Sequence, residues 1–263
     1  MARRLRLVAG TGNERAAVAR ANEALQGSIV AYGTVRARIA ALELAPGRPV
    51  SEKDIADALG ISRTPVREAF IRLAEEGLLD VYPQYGTFVS PIRIPAVMHA
   101  AFVRDSLECS IVRVLAHRRR TGFLNDLQTR LQRQWTAIRA ADEGAFFEQD
   151  ELMHQSFAEE AGHEPVWRVI DAAKVHVDRV RRLKLPDDIR MRGLVEEHER
   201  IADAIRTQDA ELAAEAMHDH LEGIVRGLAG LAKRHPDMFE RPGGGRPSRN
   251  AANSSSGPLP LEK

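Results

Sequence analysis

Two helix boundaries fall within three residues of each other in the N-terminal third of this chain, and that constrains the local fold to two helices joined by a tight turn. Gly60 is suited to end a helix, because glycine enters the left-handed conformation of a helix terminus without steric cost. Ser62 or Thr64 is suited to open the next by accepting from a free backbone N–H. Pro65 fits only in a first helical turn, where its missing donor costs nothing. Only Ile61 separates Gly60 from Ser62. Upstream, Ser51 caps a helix over 52–59, with Asp54 at its third position. Downstream, Phe70, Leu73 and Ala74 share an apolar face until Glu75-Glu76-Gly77 ends the run. This is a helix-turn-helix pattern in which the second helix is the reader.

Arg63 and Arg67 stand four apart, so both can point the same way from the reader's amino end. Two guanidinium forks there can read guanine edges and clamp phosphates; the simpler reading is two solvated arginines on a surface helix. After Gly77, Leu78-Leu79-Asp80-Val81-Tyr82 reads as a strand, Pro83-Gln84-Tyr85-Gly86 as a turn and Thr87-Phe88-Val89 as the returning strand. Such a hairpin is a wing whose tip, at Gln84, Tyr85 and Gly86, can reach a neighbouring groove or backbone. A first helix is expected over 28–43, with Ile29, Val35, Ile39 and Leu42 on one face, broken by Ala45-Pro46-Gly47-Arg48-Pro49. Residues 1–27 read as a mobile or weakly helical extension in which Arg3, Arg4 and Arg6 could touch phosphates.

The chain's net charge is +1, which argues against indiscriminate polyanion binding. Residues 28–92, the winged helix-turn-helix, hold seven Lys/Arg and eight Asp/Glu, a net of −1. DNA recognition must therefore rest on local placement of arginines. No segment has the length and apolarity needed to span a membrane, and no signal peptide is recognisable. The single cysteine, Cys109, excludes an internal disulfide, reads as a packed small hydrophobe, and points to a cytoplasmic protein.

Pro91 and Pro95 bracket a short linker, beyond which only helical periodicity is found. Six segments are expected, at 95–120, 122–141, 143–161, 164–184, 188–207 and 208–234. Their short connections imply an antiparallel bundle over 95–234. Residues 241–263 are rich in Gly, Pro, Ser and Asn and read as a disordered tail. The expected fold class is mainly α: an N-terminal winged helix-turn-helix followed by an all-α bundle of about six helices.

Three bundle helices carry polar groups inside apolar stripes. Phe147, Asp150, His154, Phe157 and Ala161 fall on one face; so do Met191, Leu194, His198, Ile201 and Ile205, and again Ala213, Met217, His220, Ile224 and Leu231. A buried carboxylate needs a partner. Each histidine alone reads as a satisfied core residue, but one carboxylate and three imidazoles aimed at one core favour a divalent cation. Zinc leads, with nickel, manganese or iron as alternatives. His218 and His176 are rivals of lower rank. Arg104, in the first bundle helix, either faces the cavity and forks onto a carboxylate ligand or lies on the surface paired with Glu108.

These residues resemble the GntR family of transcriptional regulators, FadR subfamily, with an FCD-type ligand-binding domain. The winged-helix half rests on Pro46-Gly47, Ser51-Glu52, the run from Leu59 to Ala69, Leu73, Glu76-Gly77-Leu78 and Gly86-Thr87-Phe88-Val89. The bundle half rests on Arg104 with Leu107-Glu108, then Asp150-x3-His154, then His198 followed after twenty-one residues by His220. The resemblance covers roughly residues 28–234. It implies a homodimer on palindromic operator DNA, most often a repressor, with contacts from Lys53, Ser62, Arg63, Thr64, Arg67, Tyr85 and Gly86. A lysine at position 53 suits a phosphate better than a bidentate base contact. It further implies a metal on Asp150, His154, His198 and His220, and a small carboxylate effector near the metal and Arg104. Six bundle helices resemble the VanR-like branch. His163 stands where asparagine often follows the Asp-x3-His motif.

Two other functions compete with an effector-gated regulator. One is a DNA-binding protein with a purely structural metal. The other is a metal-dependent hydrolase, possible because a metal-bound water can be activated, but with no separate general acid or base in the pattern and no use for the winged helix.

Overall fold

The computed structural model describes residues 12–118, 120–184 and 188–241, so the expectations for 1–11 and 242–263 lie outside the described residues. The described chain divides into two compact units, one over residues 12–39 and 43–90 and the other chiefly over 91–241.

In the first unit, helix α1 (Gly12–Ala40) is followed by strand β1 (Pro49–Val50), α2 (Glu52–Leu59), α3 (Arg63–Glu75), β2 (Leu79–Tyr82) and β3 (Gly86–Val89). Helix α1 starts well before the expected 28–43 and ends earlier, because Leu42 takes a positive φ of 62° outside it. Its buried face is Ser28, Ala31, Val35 and Ile39, whereas Ile29, expected on that face, is exposed. The α2 boundaries are as read from sequence. Ser51 Oγ accepts from the Lys53 and Asp54 amides, and Gly60 closes the helix at φ 66°. Ser62 stands at the amino end of α3 but its hydroxyl makes no capping bond, so the expected side-chain cap is absent. Helix α3 buries Pro65, Val66, Ala69, Phe70 and Leu73. The wing is antiparallel, with Tyr82 opposite Gly86 and Leu79 opposite Val89. The short β1, not foreseen, adds to the other edge of β3.

The second unit comprises α4 (Ile94–Arg118), α5 (Thr121–Arg139), α6 (Glu143–Glu160), α7 (Glu164–Lys184), α8 (Asp188–Arg206), α9 (Ala210–Val225) and α10 (Leu228–Arg234). Pro95 lies in the first turn of α4, where proline is tolerated, and does not bound a linker. The last expected segment divides in two at Gly227, which takes φ 75°. Among the described residues, six long helices and the seven-residue α10 therefore build the bundle. Asp142 and Asp209 cap α6 and α9 through their carboxylates. Lys184, at the end of α7, donates to the carbonyls of Gly223 and Arg226 (3.1 and 2.6 Å) and to that of Ile224, securing the end of α9.

Candidate functional site

In the first unit, packing sorts α3 into two faces. Pro65, Val66, Ala69 and Phe70 face inward, which leaves Ser62, Arg63, Thr64 and Arg67 exposed together at its amino end. Arg63 Nη2 lies 3.5 Å from Glu52 Oε2 and Lys53 Nζ 2.6 Å from Asp57 Oδ2. Exposed pairs of this kind contribute little and exchange readily for phosphate. Arg67 carries no ion pair among the described residues. At the wing tip Gln84 and Gly86 take φ of 68° and 115°, turning the hairpin with Tyr85 and Gly86 exposed.

In the second unit, Asp150 and His154 from α6, His198 from α8 and His220 from α9 each offer a ligand atom, all within 4.8 Å of one another. All four are buried, at 2% exposure or less. The His154 and His220 rings stack at 5.2 Å, and His198 lies 4.6 Å from His220. Each imidazole is anchored by its Nδ1: His154 to Glu108 Oε2 at 2.5 Å, His198 to Gln134 Oε1 at 2.8 Å, and His220 to Glu197 Oε2 at 2.9 Å. Oxygen acceptors fix the proton on Nδ1, so the Nε2 lone pairs remain for a ligand. Asp150 Oδ2 pairs with Arg181 Nη2 at 2.7 Å, while Oδ1 faces His198 Nε2 at 3.4 Å.

Burial by itself would raise the Asp150 carboxyl, but Arg181 and the imidazoles outweigh it and hold the group well below the usual carboxylate range. Glu108 is lowered likewise, against burial, by Arg104 and His154. Burial, then neighbouring imidazoles, pushes His198 and His220 well below the ordinary histidine value. His198 and His220 thus present neutral imidazole beside the ionised Asp150 carboxylate, the protonation states that bind a cation. Asp150 Oδ1, His154 Nε2 and His198 Nε2 are buried without hydrogen-bond partners. Stranding three polar atoms in a core is costly, and one divalent ion satisfies them all. The residues fit a metal.

Arg104 is buried, as the cavity alternative required, and it also pairs with Glu108 through Nε at 2.6 Å. Its Nη1 is buried without a hydrogen-bond partner. His218 is not among the four: its side chain is 54% exposed and holds Asp105 Oδ1 at 2.7 Å. His176 also lies outside the cluster. Phe147 is displaced from the expected stripe; Phe146 is buried instead, and Phe147 lies under the Arg182 guanidinium at 3.7 Å. Cys109 is buried, and burial together with Asp105 pushes its thiol up to about 12. It is not a nucleophile at neutral pH.

Residues 30–89 match the gntR family of bacterial regulatory proteins, and residues 100–223 match the FCD domain. A transcriptional regulator of the helix-turn-helix type from an unstable DNA locus of Streptomyces ambofaciens is 36% identical, over 79% of this chain and 87% of that protein. The chain belongs to the GntR family of bacterial transcriptional regulators. As a GntR regulator it binds DNA, and it is not an enzyme. The transcriptional repressor RspR of Escherichia coli K12 is 33% identical over 79% of this regulator and 91% of RspR. In structure, Escherichia coli McbR/YncC shares the fold, with a TM-score of 0.68 at 19% identity, covering 80% of this chain and 98% of that one. No helix among the described residues of this GntR chain is long and apolar enough to cross a membrane.

Several residues of the centre were not singled out as site residues from sequence. Glu108 appeared as a surface partner of Arg104 and within the Arg104…Leu107-Glu108 motif but with no role at the centre, and Gln134, Arg181 and Glu197 not at all. Gln134 had a signal. It continues the apolar series Phe123, Leu127 and Leu131 on α5, where a polar side chain needs a buried partner.

Proposed function

We propose that this GntR regulator is a cytoplasmic homodimeric repressor whose grip on a palindromic operator is set by a small carboxylate bound at a metal centre. DNA reading is assigned to residues 28–92, through Lys53, Ser62, Arg63, Thr64, Arg67, Tyr85 and Gly86. Effector binding and dimerisation are assigned to residues 95–234, with zinc as the leading ion on Asp150, His154, His198 and His220.

The observation that carries this reading is the anchoring of three histidines by three separate oxygen acceptors, with their other nitrogens turned to one carboxylate. A merely structural core histidine does not need this arrangement. The charges support an anionic effector. Asp150 is matched by Arg181 and Glu108 by Arg104, so a divalent cation adds positive charge that no further carboxylate in those pairs offsets. Arg104 Nη1 is a ready donor to an incoming carboxylate. The name of RspR supports repression. Once bound, the ion supplies a Lewis-acidic anchor for a carboxylate; the chain's own residues orient that anchor and exclude competing donors.

A test begins with duplexes selected by the full-length protein from a randomised library. Arg63→Ala is expected to erase the preference for the selected sequence over a scrambled one. Equal discrimination by mutant and wild type would remove α3 as the reader.

A further inference from the structure

The connector that joins the two units is anchored on both sides of a single residue. In the first unit, the Ser90 amide donates to the Leu78 carbonyl at 2.9 Å and the Ser90 hydroxyl to the Gly77 carbonyl. In the second, the Ile92 amide donates to the Met238 carbonyl at 2.8 Å, and the Glu240 amide returns a bond to the Ile92 carbonyl at 3.0 Å. Ile92 and Phe239 thereby form a parallel bridge, and Arg93 Nε pairs with Glu240 Oε1 at 2.9 Å. Pro91 stands between the two anchors, and its ring locks φ at about −65°. The segment that follows α10 is thus a clasp on the first residues of the second unit.

Beneath the clasp lies a core that touches the metal centre from below. Ile92 and Phe239 are buried, and they share a hydrophobic cluster with Ala100 of α4, Val177 of α7, Ile224 of α9 and Leu231 of α10. Three of these stand four residues from a member of the centre: Ala100 from Arg104, Val177 from Arg181 and Ile224 from His220. At that spacing two side chains share one helix face, a single turn apart. Lys184 of α7 also binds the carbonyls of Gly223, Ile224 and Arg226, so the end of α9 moves with α7. A close-packed cluster passes such a displacement on to its remaining members, Ile92 and Phe239. The clasp itself is lightly held, by two backbone bonds, one ring and an exposed ion pair, and structure of that kind opens more readily than a core.

We propose that residues 238–240, clasped on Ile92 and Arg93, relay the condition of the metal centre to the connector, with Phe239 and Glu240 as positioning residues for DNA binding. The inference rests on the reading of that centre as a metal site that governs operator affinity. An ion restrains α9 through His220 and favours the closed clasp, which fixes the backbone at Ile92, two residues from the anchor at Ser90. An open clasp releases the torsions of Ile92 and Arg93.

The probe is zinc alone, added to the chelator-stripped full chain. Hydrogen exchange is followed in the segments that contain the Ile92 and Glu240 amides, and operator affinity by fluorescence anisotropy on the library-selected duplex. The proteins are wild type, Glu240→Pro, Glu240→Gln and Phe239→Ala. Proline at position 240 removes the amide that donates to Ile92 and leaves the cluster side chains in place; glutamine keeps that amide. In the wild type, zinc is expected to slow exchange in both segments and to change operator Kd by about 5–150-fold. In Glu240→Pro, zinc should still raise the melting temperature, while exchange around Ile92 and operator Kd no longer respond to it. Phe239→Ala, which weakens the clasp from its buried side, should behave in the same way, and Glu240→Gln as the wild type does. Exchange in the wild-type clasp that ignores zinc overturns the relay. So does a full zinc response of operator affinity in Glu240→Pro, which leaves the metal reading standing. A wild-type clasp that tightens with zinc while operator affinity stays constant contradicts the metal reading instead, and supports the link from centre to connector.

Discussion

Gln134 on α5 and His198 on α8 are joined by one hydrogen bond, Oε1 to Nδ1 at 2.8 Å, and both side chains are fully buried. The amide nitrogen is spent on the Gln149 carbonyl and Met153 Sδ, which leaves the oxygen for the imidazole. A neutral amide thus decides which nitrogen of His198 carries the proton. Gln134→Leu is expected to lower metal affinity about 10–100-fold, and Gln134→Glu to preserve most of it. Competition against a chromophoric chelator checks this; equal affinities for wild type and the leucine variant would show that the amide does not orient the ligand.

Replacing two imidazoles at once removes half of the donor set. His198→Ala with His220→Ala is expected to abolish stoichiometric metal in the purified protein. The rise in melting temperature that metal gives the wild type should go with it. Elemental analysis and thermal melts with and without chelator provide the readout. Wild-type metal content in the double variant is the contrary result.

The bundle also has an ionic knot outside the donor set, where Lys174 Nζ binds Glu151 and Asp178 at 2.6 and 2.7 Å. Burial raises the Asp178 carboxyl, but Lys174 and Arg181 outweigh it and lower its pKa below the ordinary 3.8. A lowered carboxylate contributes stability that is present above its unfolded pKa and lost as pH falls toward the folded one. The wild type should therefore lose more stability than Asp178→Asn below about pH 4. At pH 7 the variant should be less stable by about 2 kcal/mol. Urea denaturation between pH 3 and 7 tests it; parallel curves for the two proteins would contradict the sign.

For the reader, Arg63→Ala is expected to weaken binding to the selected operator by about 1–3 kcal/mol for each bidentate base pairing that the guanidinium makes. Lys53→Ala should instead weaken all duplexes alike and flatten the salt dependence by about 0.9. Anisotropy on selected and scrambled duplexes separates the two; a sequence-selective weakening in the lysine variant would exchange their roles.

How much of this was legible in the sequence depended on periodicity. The α2–α3 turn could be read because Gly60, Ser62 and Pro65 each carry a steric or capping requirement at a fixed position. Asp150, His154, His198 and His220 could be read because a polar residue in an apolar stripe is conspicuous. Arg181 could not, since α7 carries Lys174, Arg179, Arg181 and Lys184 as well, all buried in the fold, and a cationic helix reads as a solvated one. Glu108 was hidden by its i,i+4 relation to Arg104, which looks the same on a surface as in a core. The upstream half of α1 was read only as mobile or weakly helical, because its alanine-rich sequence offers no apolar stripe to detect.

The central claim is that a carboxylate at the metal centre and DNA at α3 are thermodynamically coupled. The most direct measurement is isothermal titration of the metal-loaded full chain with a panel of small organic acids, free and bound to the selected operator. An acid should bind the metal-loaded protein and not the chelator-stripped one, with an affinity that operator DNA changes about 5–150-fold. An acid whose affinity is the same with and without operator, or a panel in which none binds, would contradict the account.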